Sequence, residues 1–244
     1  MEPADLVPPS EHGRVFTLAA HAGLADVAPS GRARLDAVAR WLQDAALGDV
    51  VDAGLQEGAW VLRRMSMLVQ RFPRFGAGLE VATFCSGTGP MVAERRSTIR
   101  EHGEVLVEAV AAWVHVDPHG GRPLPLPDGF EAVYGASANG RRVRARLRHP
   151  AEPPAGAAPR PWRFRAADLD LAGHVNNAVY WQVLEEELVG AEPPAPLRVE
   201  VEHRAAALAG EATVRGADAM RWIADPGGRV LATLTIDHPA AGAP

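Results

Sequence analysis

Lysine is absent from this 244-residue chain, and cysteine occurs only once, at Cys85. A single cysteine can form no intrachain disulfide and excludes a zinc site built on several cysteines, which fits a reducing compartment. All 25 basic side chains are arginines, and 30 acidic residues give a net charge of −5 at pH 7. This modest acidic balance gives no reason to expect a nucleic-acid partner.

Long apolar runs are also missing. No stretch reaches the roughly 18 consecutive apolar residues of a membrane-spanning helix, and the N-terminus lacks the charged and then apolar pattern of a secretory signal. Hydrophobic residues still make up 47% of the chain, which is ample for a buried core. We therefore predict a cytoplasmic protein that has no membrane partner.

One short segment concentrates the side chains that can do chemistry. Residues 168–177 are Asp-Leu-Asp-Leu-Ala-Gly-His-Val-Asn-Asn, and apolar residues at helical spacing follow up to Leu188. The pattern predicts a loop that delivers an acid and a histidine to a helix capped by Asn176 or Asn177. Unpaired N–H groups in a first helical turn would polarise a carbonyl oxygen placed there, although turn formation is the usual role of such residues.

The chain as a whole predicts an α+β fold with antiparallel sheet. A helical apolar stripe covers residues 32–46 and precedes a first group of strands. These strands are predicted at 60–69, 78–84, 91–101 and 105–116. Their connections are short, which favours hairpins over parallel βαβ units. A second group of strands is predicted at 162–165, 197–203, 211–215, 220–224 and 229–237.

The two groups are related by an internal repeat. A shift of 142 residues places Asp26 on Asp168, Gly31 on Gly173 and the first helical stripe on the second. The same shift places Ala28 on Asp170, Arg32 on His174 and Arg34 on Asn176. The first copy therefore keeps the predicted helix but lacks the polar set. A purely structural role for that set does not predict this asymmetry, so one copy is the candidate for chemistry.

The 168–180 segment resembles the second-half signature of the acyl-acyl-carrier-protein thioesterases. First-half segments resemble the same family in the same order; they lie at 60–65, 71–76, 93–96 and 112–114. The resemblance covers roughly residues 14–237. It implies a double hot-dog fold, in which two tandem units each have a long helix wrapped by an antiparallel sheet.

We place three parts on the chain from the resemblance, the repeat and the composition. The first unit, with a degenerate site, is predicted at 13–130, and the second unit, with the catalytic motif, at 162–238. Residues 131–161 are rich in proline and arginine and are predicted to be a linker.

The resemblance implies that the enzyme hydrolyses a fatty acyl thioester to a free fatty acid, with Asp170 and His174 as catalytic residues. The chemistry of the residues agrees with this: Asp170 can act as a general base for water or as a direct nucleophile. His174 can orient water or protonate the thiolate leaving group. Asn176 is a third catalytic candidate, because its amide can fix water or the carbonyl.

Three further residues are predicted to bind the substrate. Gly173 allows close backbone approach, and the N–H groups around it are candidate donors to the thioester oxygen. Val175 and Asn177 flank the histidine and complete the predicted binding set. No cofactor is predicted. No metal is predicted either, since the histidines outside the motif lack metal-ligand spacing.

Two positions depart from the family pattern. Ala172 stands where the family often has an asparagine between the catalytic acid and histidine. Ala206 stands where many members have a glutamate on the following strand, and the neighbouring position, where plant members have a cysteine, is also alanine. The supporting carboxylate is therefore missing unless Glu202 or Glu186 approaches from elsewhere. Residues 185–187 form an all-glutamate run that is typical of a solvated helix face.

The substrate carrier and the oligomeric state stay open at this point. Acyl carrier protein is the first candidate partner and coenzyme A the alternative, and the chain could act as a monomer or a homodimer. A catalytically weak acyl-binding protein is a further alternative, because of Ala172 and Ala206. A hot-dog hydratase is disfavoured, since the residues after His174 do not match its motif.

Alternating arginines mark residues 141–148, where an exposed strand-like edge is the default interpretation. Carrier proteins are acidic and coenzyme A carries phosphates, so docking of the substrate carrier at this edge is the alternative interpretation.

Overall fold

The structure is a computed structural model that describes residues 6–56, 58–190 and 192–237. Three α-helices are described: α1 (Leu35–Asp52), α2 (Phe130–Ala138) and α3 (Gln182–Leu188). The first half of the chain forms strands β1 (Phe16–His21), β2 (Ala59–Val69), β3 (Gly78–Thr88), β4 (Val92–Glu101) and β5 (Glu104–Val116). The second half forms strands β6 (Pro159–Phe164), β7 (Leu197–His203), β8 (Gly210–Ala217), β9 (Met220–Ala224) and β10 (Val230–Asp237).

All ten strands join one antiparallel sheet in the order β1-β3-β4-β5-β2-β7-β10-β9-β8-β6. The two halves of this order are equivalent, and they meet where β2 pairs with β7, with Met65 opposite Val201. The predicted α+β fold with a large antiparallel sheet is confirmed. None of the helices within the described residues is long and apolar enough to cross a membrane.

Helix α1 forms where the apolar stripe was predicted and runs six residues beyond it. Its core-facing side chains recur at helical spacing and are buried; they are Ala37, Val38, Trp41, Leu42 and Ala45. The helix ends before Gly54, which has a positive φ of 69° that glycine adopts without strain.

The second half has a shorter helix than expected. A 3₁₀ turn at Val179–Trp181 leads into α3, which has 7 residues against 18 in α1. Gly190 follows with a φ of 78°, and the prolines after it cannot continue a helix. The buried stripe is still present, because Tyr180, Val183 and Leu184 are at most 2% exposed.

The stretch predicted as a linker contains helix α2. Phe130 and Tyr134 stand one helical turn apart and bury their rings, 4.8 Å between centroids, against Cys85 of β3. The abundance of glycine, alanine and proline around them hides this pair in the sequence. The unit boundaries at 13–130, 131–161 and 162–238 stay a prediction, and residue 238 lies outside the described residues.

The internal repeat is visible in the backbone. In the first copy the N–H of Ala28 donates to the carbonyl of Arg32 at 2.8 Å, and Asp170 and His174 make the same bond at 2.8 Å in the second. Both copies also have a positive-φ glycine in this turn, at Gly31 (80°) and Gly173 (73°). The two loops therefore share one backbone geometry and differ in their side chains.

A buried ion pair joins the two halves. Arg32 and Glu185 are 0% and 5% exposed, and both guanidinium Nη atoms of Arg32 donate to the Glu185 carboxylate at 2.9 Å. The same carboxylate accepts the N–H of Leu35, the first residue of α1, at 2.7 Å. The glutamate run is therefore not entirely solvated, since Glu185 faces the interior and only Glu186 and Glu187 are exposed.

We predict that breaking this pair is strongly destabilising. Glu185→Gln leaves the Arg32 charge buried without its counter-ion, and loss of one partner of a buried pair costs about 3–5 kcal/mol. Equilibrium unfolding in urea measures the loss. The exposed neighbour supplies the control, Glu186→Gln, which should stay within about 0.5 kcal/mol of the wild type. The double variant Arg32→Met, Glu185→Leu should recover most of the loss; a Glu185→Gln protein as stable as the wild type would contradict the prediction.

Candidate active site

Residues 168–177 form a tight, internally bonded loop. Its first residue, Asp168, is buried, and its carboxylate accepts the N–H of Arg165 at 2.7 Å. The loop closes where the N–H of Asn176 donates to the carbonyl of Asp168 at 2.9 Å. The carboxylate of Asp170 accepts the N–H of Ala172 at 2.9 Å, which fixes the side chain of the candidate catalytic acid.

A cavity of about 340 Å³ lies beside this loop. Most of its wall comes from the first half of the chain, and the second half contributes Asp170 and Asn177. The wall residues of the first half are Gln43, Ala46, Leu47, Val50, Leu55, Gln56, Gly58, Trp60, Ala93, Arg95, Trp113 and Phe130. Asp170 is exposed and also lines the cavity, so it lies where the cavity opens to solvent. An apolar cavity of this size with a few polar groups is typical of a small-molecule site.

The sequence motifs do not predict the part of the cavity wall that comes from the first half of the chain. One signal was available: Ala46, Leu47 and Val50 form a second apolar face on α1, beside the buried stripe. The contributions of Trp60, Ala93 and Trp113 depend on sheet packing that no local pattern shows.

The structure brings together some of the predicted site residues and separates others. Asp170 and Asn177 share the cavity wall. His174 follows within the same turn and is exposed to solvent. Asn176 is half-buried, and its side-chain oxygen accepts the N–H of Ala178 at 2.9 Å within the loop. The expected helix cap at Asn176 or Asn177 is not formed, because the 3₁₀ turn begins after Ala178 and α3 begins after Trp181.

Gly173 and Val175 differ from their predicted roles in the structure. The N–H of Gly173 donates to the carbonyl of Asp170 at 2.9 Å, so it is used within the turn and is not a free donor for a substrate oxygen. Val175 is 4% exposed and packs in the hydrophobic core, and its N–H donates to Ala207. The backbone N–H groups of Gly173 and Val175 form hydrogen bonds within the protein once the loop closes, so they are not available to a substrate.

Tyr180 and His203 lie beneath the loop. Their rings meet edge to face with centroids 4.7 Å apart. Burial raises the pKa of Tyr180 to about 12, and the negative charge of nearby Asp170 acts in the same direction. Burial, assisted by the charge of Arg63, lowers the pKa of His203 to about 3. Both groups are therefore neutral at physiological pH. This pair supplies no positive charge to balance the carboxylate of Asp170.

Neither Glu202 nor Glu186 supplies the supporting carboxylate that is missing at Ala206. Glu202 is buried, but its carboxylate accepts the N–H of Arg148 and, at 3.1 Å, that of His149. Glu186 is exposed. Among the described residues that line the cavity, Asp170 is the only carboxylate. Cys85 is no substitute, because it is 1% exposed and burial raises the pKa of its thiol to about 11.

Arg95 places a charged group in the cavity wall. Its guanidinium lies 2.6 Å from the carboxylate of Asp49, a fully buried residue of α1 that also pairs with Arg14 at 2.6 Å. The Arg95 guanidinium also stacks over the ring of Tyr134, 5.5 Å from its centroid. The wall cation is thus paired with a buried carboxylate that does not itself line the cavity.

Residues 141–149 cross the opposite face of the sheet. Val199 and Val201 of β7 pack in the core, so Glu200 and Glu202, which alternate with them, point away from it. His149 Nε2 lies 3.1 Å from Glu200, and its Nδ1 lies 3.9 Å from Glu202. Although burial opposes ionisation, hydrogen bonds from His149 and Ser66 lower the pKa of Glu200 to about 2.

His149, Glu200 and Glu202 form a group of potential metal ligands, although some 50 residues separate the histidine from the two glutamates in the chain. Local sequence spacing therefore does not predict this group. Within the structure its atoms bond to one another and to the crossing segment. The arrangement fastens that segment to the sheet, and it lies on the face away from the cavity.

Sequence profiles of one family match both halves of the chain. The acyl-ACP thioesterase N-terminal domain matches residues 14–134, and the acyl-ACP thioesterase C-terminal domain matches residues 153–213. The chain belongs to the acyl-ACP thioesterase family and is a thiolester hydrolase that acts on fatty acyl thioesters.

Individual relatives are distant. An uncharacterized protein of Mycobacterium tuberculosis is 25% identical over 209 residues, which cover 84% of this chain and 83% of the relative. An acyl-ACP thioesterase from Bacteroides thetaiotaomicron superposes with a TM-score of 0.74 at 17% identity, over 91% of this chain and 96% of that one. The 12:0-ACP thioesterase from Umbellularia californica gives 0.72 at 19% identity, over 91% and 93%. At these identities the structural likeness shows the shared fold.

The low pKa of His203 predicts a pH-dependent stability. The unfolded histidine titrates at its ordinary pKa of 6.5 and the folded one at about 3, so between these values the unfolded state binds the additional proton. Stability therefore falls as pH falls below 6.5, by about 2 kcal/mol between pH 7 and pH 5. His203→Phe should remove this share of the change, as measured by urea unfolding at both pH values. His12→Gln, at an exposed histidine, should leave it intact, and an unchanged pH dependence in His203→Phe would refute the assignment.

Proposed function

We propose that this enzyme releases free fatty acids from acyl-acyl-carrier protein, with Asp170 as the general base and His174 as the general acid. The observation that carries the proposal is the position of Asp170: it is the one carboxylate in the described wall of a largely apolar cavity, and it lies at the opening. The acyl chain occupies the cavity, and the thioester lies beside the loop.

The reaction uses the polar groups of the loop in turn. Asp170 takes a proton from water as the new C–O bond forms at the thioester carbon. The C–S bond then breaks, and His174 gives its proton to the leaving thiolate. An exposed His174 suits this role, because the leaving group is the end of a carrier arm that reaches in from solvent. Asn177 lines the cavity with Asp170 and holds the substrate beside it.

Membership of the acyl-ACP thioesterase family supports acyl carrier protein as the substrate carrier. Coenzyme A thioesters remain the second candidate, because the same cavity and loop would serve either carrier. The missing family glutamate at Ala206 supports a mechanism that depends on one carboxylate. The alternative of a catalytically weak acyl-binding protein makes the opposite prediction, which is no turnover with any acyl chain.

Asp170→Asn should lower kcat by about 10²–10⁴-fold, the usual contribution of a general base. Thiol release from a series of acyl-carrier-protein and acyl-coenzyme A thioesters measures this loss and also ranks the two carriers. Glu186→Gln is the control, since this exposed carboxylate has no place in the site. Wild-type activity in Asp170→Asn would remove Asp170 from the mechanism, and an inactive wild type would favour an acyl-binding protein.

The position of the arginine-rich edge predicts that it does not dock the carrier. Four of its arginines are exposed: Arg142, Arg144, Arg146 and Arg148. They belong to the segment that crosses the sheet face opposite the cavity. Replacing all four by glutamine should leave KM for acyl-carrier protein within about twofold of the wild type, because rim charges act on association only where partners meet. A selective rise in KM for the carrier-bound substrate, with a short thioester unaffected, would show docking there.

A further inference from the structure

The internal repeat predicts that the two units contact each other twice, in two equivalent places. On one side of the molecule, the loop of the first unit meets the helix of the second unit. There Arg32 donates to Glu185, and Glu185 accepts the N–H of Leu35 at 2.7 Å. The two halves of the sheet are equivalent about the β2–β7 pair, so the loop of the second unit should meet the helix of the first unit in the same way.

The 142-residue shift identifies the partners on this other side. Arg32 corresponds to His174, and Leu35 corresponds to Asn177. Glu185 corresponds to Gln43. The carboxylate that binds the loop of the first unit is therefore replaced, beside the loop of the second unit, by a neutral amide. The cavity agrees with this correspondence, because Gln43 lines it together with Asp170 and Asn177.

The helical face of α1 explains why Gln43 points inward. Gln43, Ala46, Leu47 and Val50 line the cavity, and they are spaced so that they share one face of the helix. Three of these side chains are apolar and suit an acyl chain, whereas Gln43 brings the amide to the end of the row. It is half-buried, and its side chain makes no hydrogen bond within the described part of the chain. A half-buried amide without a protein partner is suited to a ligand.

We propose that Gln43 is a catalytic residue that donates a hydrogen bond from its side-chain amide to the thioester carbonyl oxygen. The inference rests on the proposed function, since it assigns a role within the same site. Negative charge collects on this oxygen as water attacks, and a fixed donor stabilises it. Gln43 donates without transferring a proton and stays neutral. Asp170 and His174 carry the proton, and the C–S bond breaks as before.

The loop itself offers no free Gly173 N–H to stabilise the oxyanion, and Gln43 can supply a donor. The N–H of Gly173 is used inside the turn, and the carboxylate expected at Ala206 is absent. An amide could not replace a carboxylate as a base, but its two N–H donors suit an oxyanion. The division of labour is then a base from the second unit and an oxyanion donor from the first unit.

Gln43→Leu tests the proposal, because leucine has a comparable size and no donor. We expect kcat to fall by about 10²–10³-fold, as for loss of one oxyanion donor, with KM changed by less than about threefold. Gln70→Leu is the matched control, because it makes the same substitution at an exposed glutamine that does not line the cavity. The control should keep wild-type kcat.

A binding measurement separates donation from packing. A non-hydrolysable acyl amide analogue keeps the carbonyl oxygen, whereas the corresponding alkyl thioether lacks it. Gln43→Leu should weaken binding of the amide by about tenfold or more and leave the thioether unchanged. Gln43→Asn, which retains the amide on a shorter side chain, supplies a second variant if the leucine form does not fold, and it should also lose kcat.

The possible failures are distinguishable. If Asp170→Asn is inactive while Gln43→Leu and Gln43→Asn turn over at the wild-type rate, the proposed function stands and the role of Gln43 is overturned. A rise in KM with kcat unchanged, or equal weakening of both analogues, would also overturn it. An inactive wild type would instead defeat the proposed function itself.

Discussion

The buried pair of Arg32 and Glu185 fixes the geometry on which the site depends. Two charges removed from water are stable only when their hydrogen bonds are nearly ideal, and here a bidentate contact meets that condition. Because Glu185 also takes the N–H of Leu35, the pair sets where α1 begins relative to the second unit. The cavity wall lies further along the same helix. A shift of this contact would therefore move the cavity wall away from Asp170.

The two repeats use one backbone design for different purposes. Their loops have the same hydrogen bonds and the same glycine conformation, but the side chains at equivalent positions have diverged. On one side a buried arginine and a glutamate close the contact between the units. On the other side an exposed His174 and the amide of Gln43 accompany an open cavity. One version of the contact stabilises the two units, and the other version is the one to which we assign the chemistry.

Local features of the structure were largely predictable from the sequence. Alternating strands joined by short turns fixed the sheet, and the Gly-His-Val-Asn-Asn motif identified the loop that carries Asp170. The failures concern contacts between distant residues. The glutamate run alone predicts a solvated position for Glu185, because its partner Arg32 lies 153 residues away in the chain. Helix α2 was missed because its two aromatic anchors lie among glycine and alanine, and the roles of Gly173 and Val175 changed once the loop closed on itself.

All but two of the described cavity-lining residues lie in the first 130 positions, whereas the loop that carries Asp170 and His174 lies after residue 167. In the proposed mechanism, most of the acyl-binding wall and the general base are therefore encoded in separate stretches of one gene. Under this proposal, substitutions at the apolar wall positions Ala46, Leu47 and Val50 can alter which fatty acid is released while the second repeat stays unchanged. On these proposals, duplication followed by specialisation of each copy allows the product spectrum to evolve, or to be engineered, at the apolar wall positions while Gln43, Asp170 and His174 are kept.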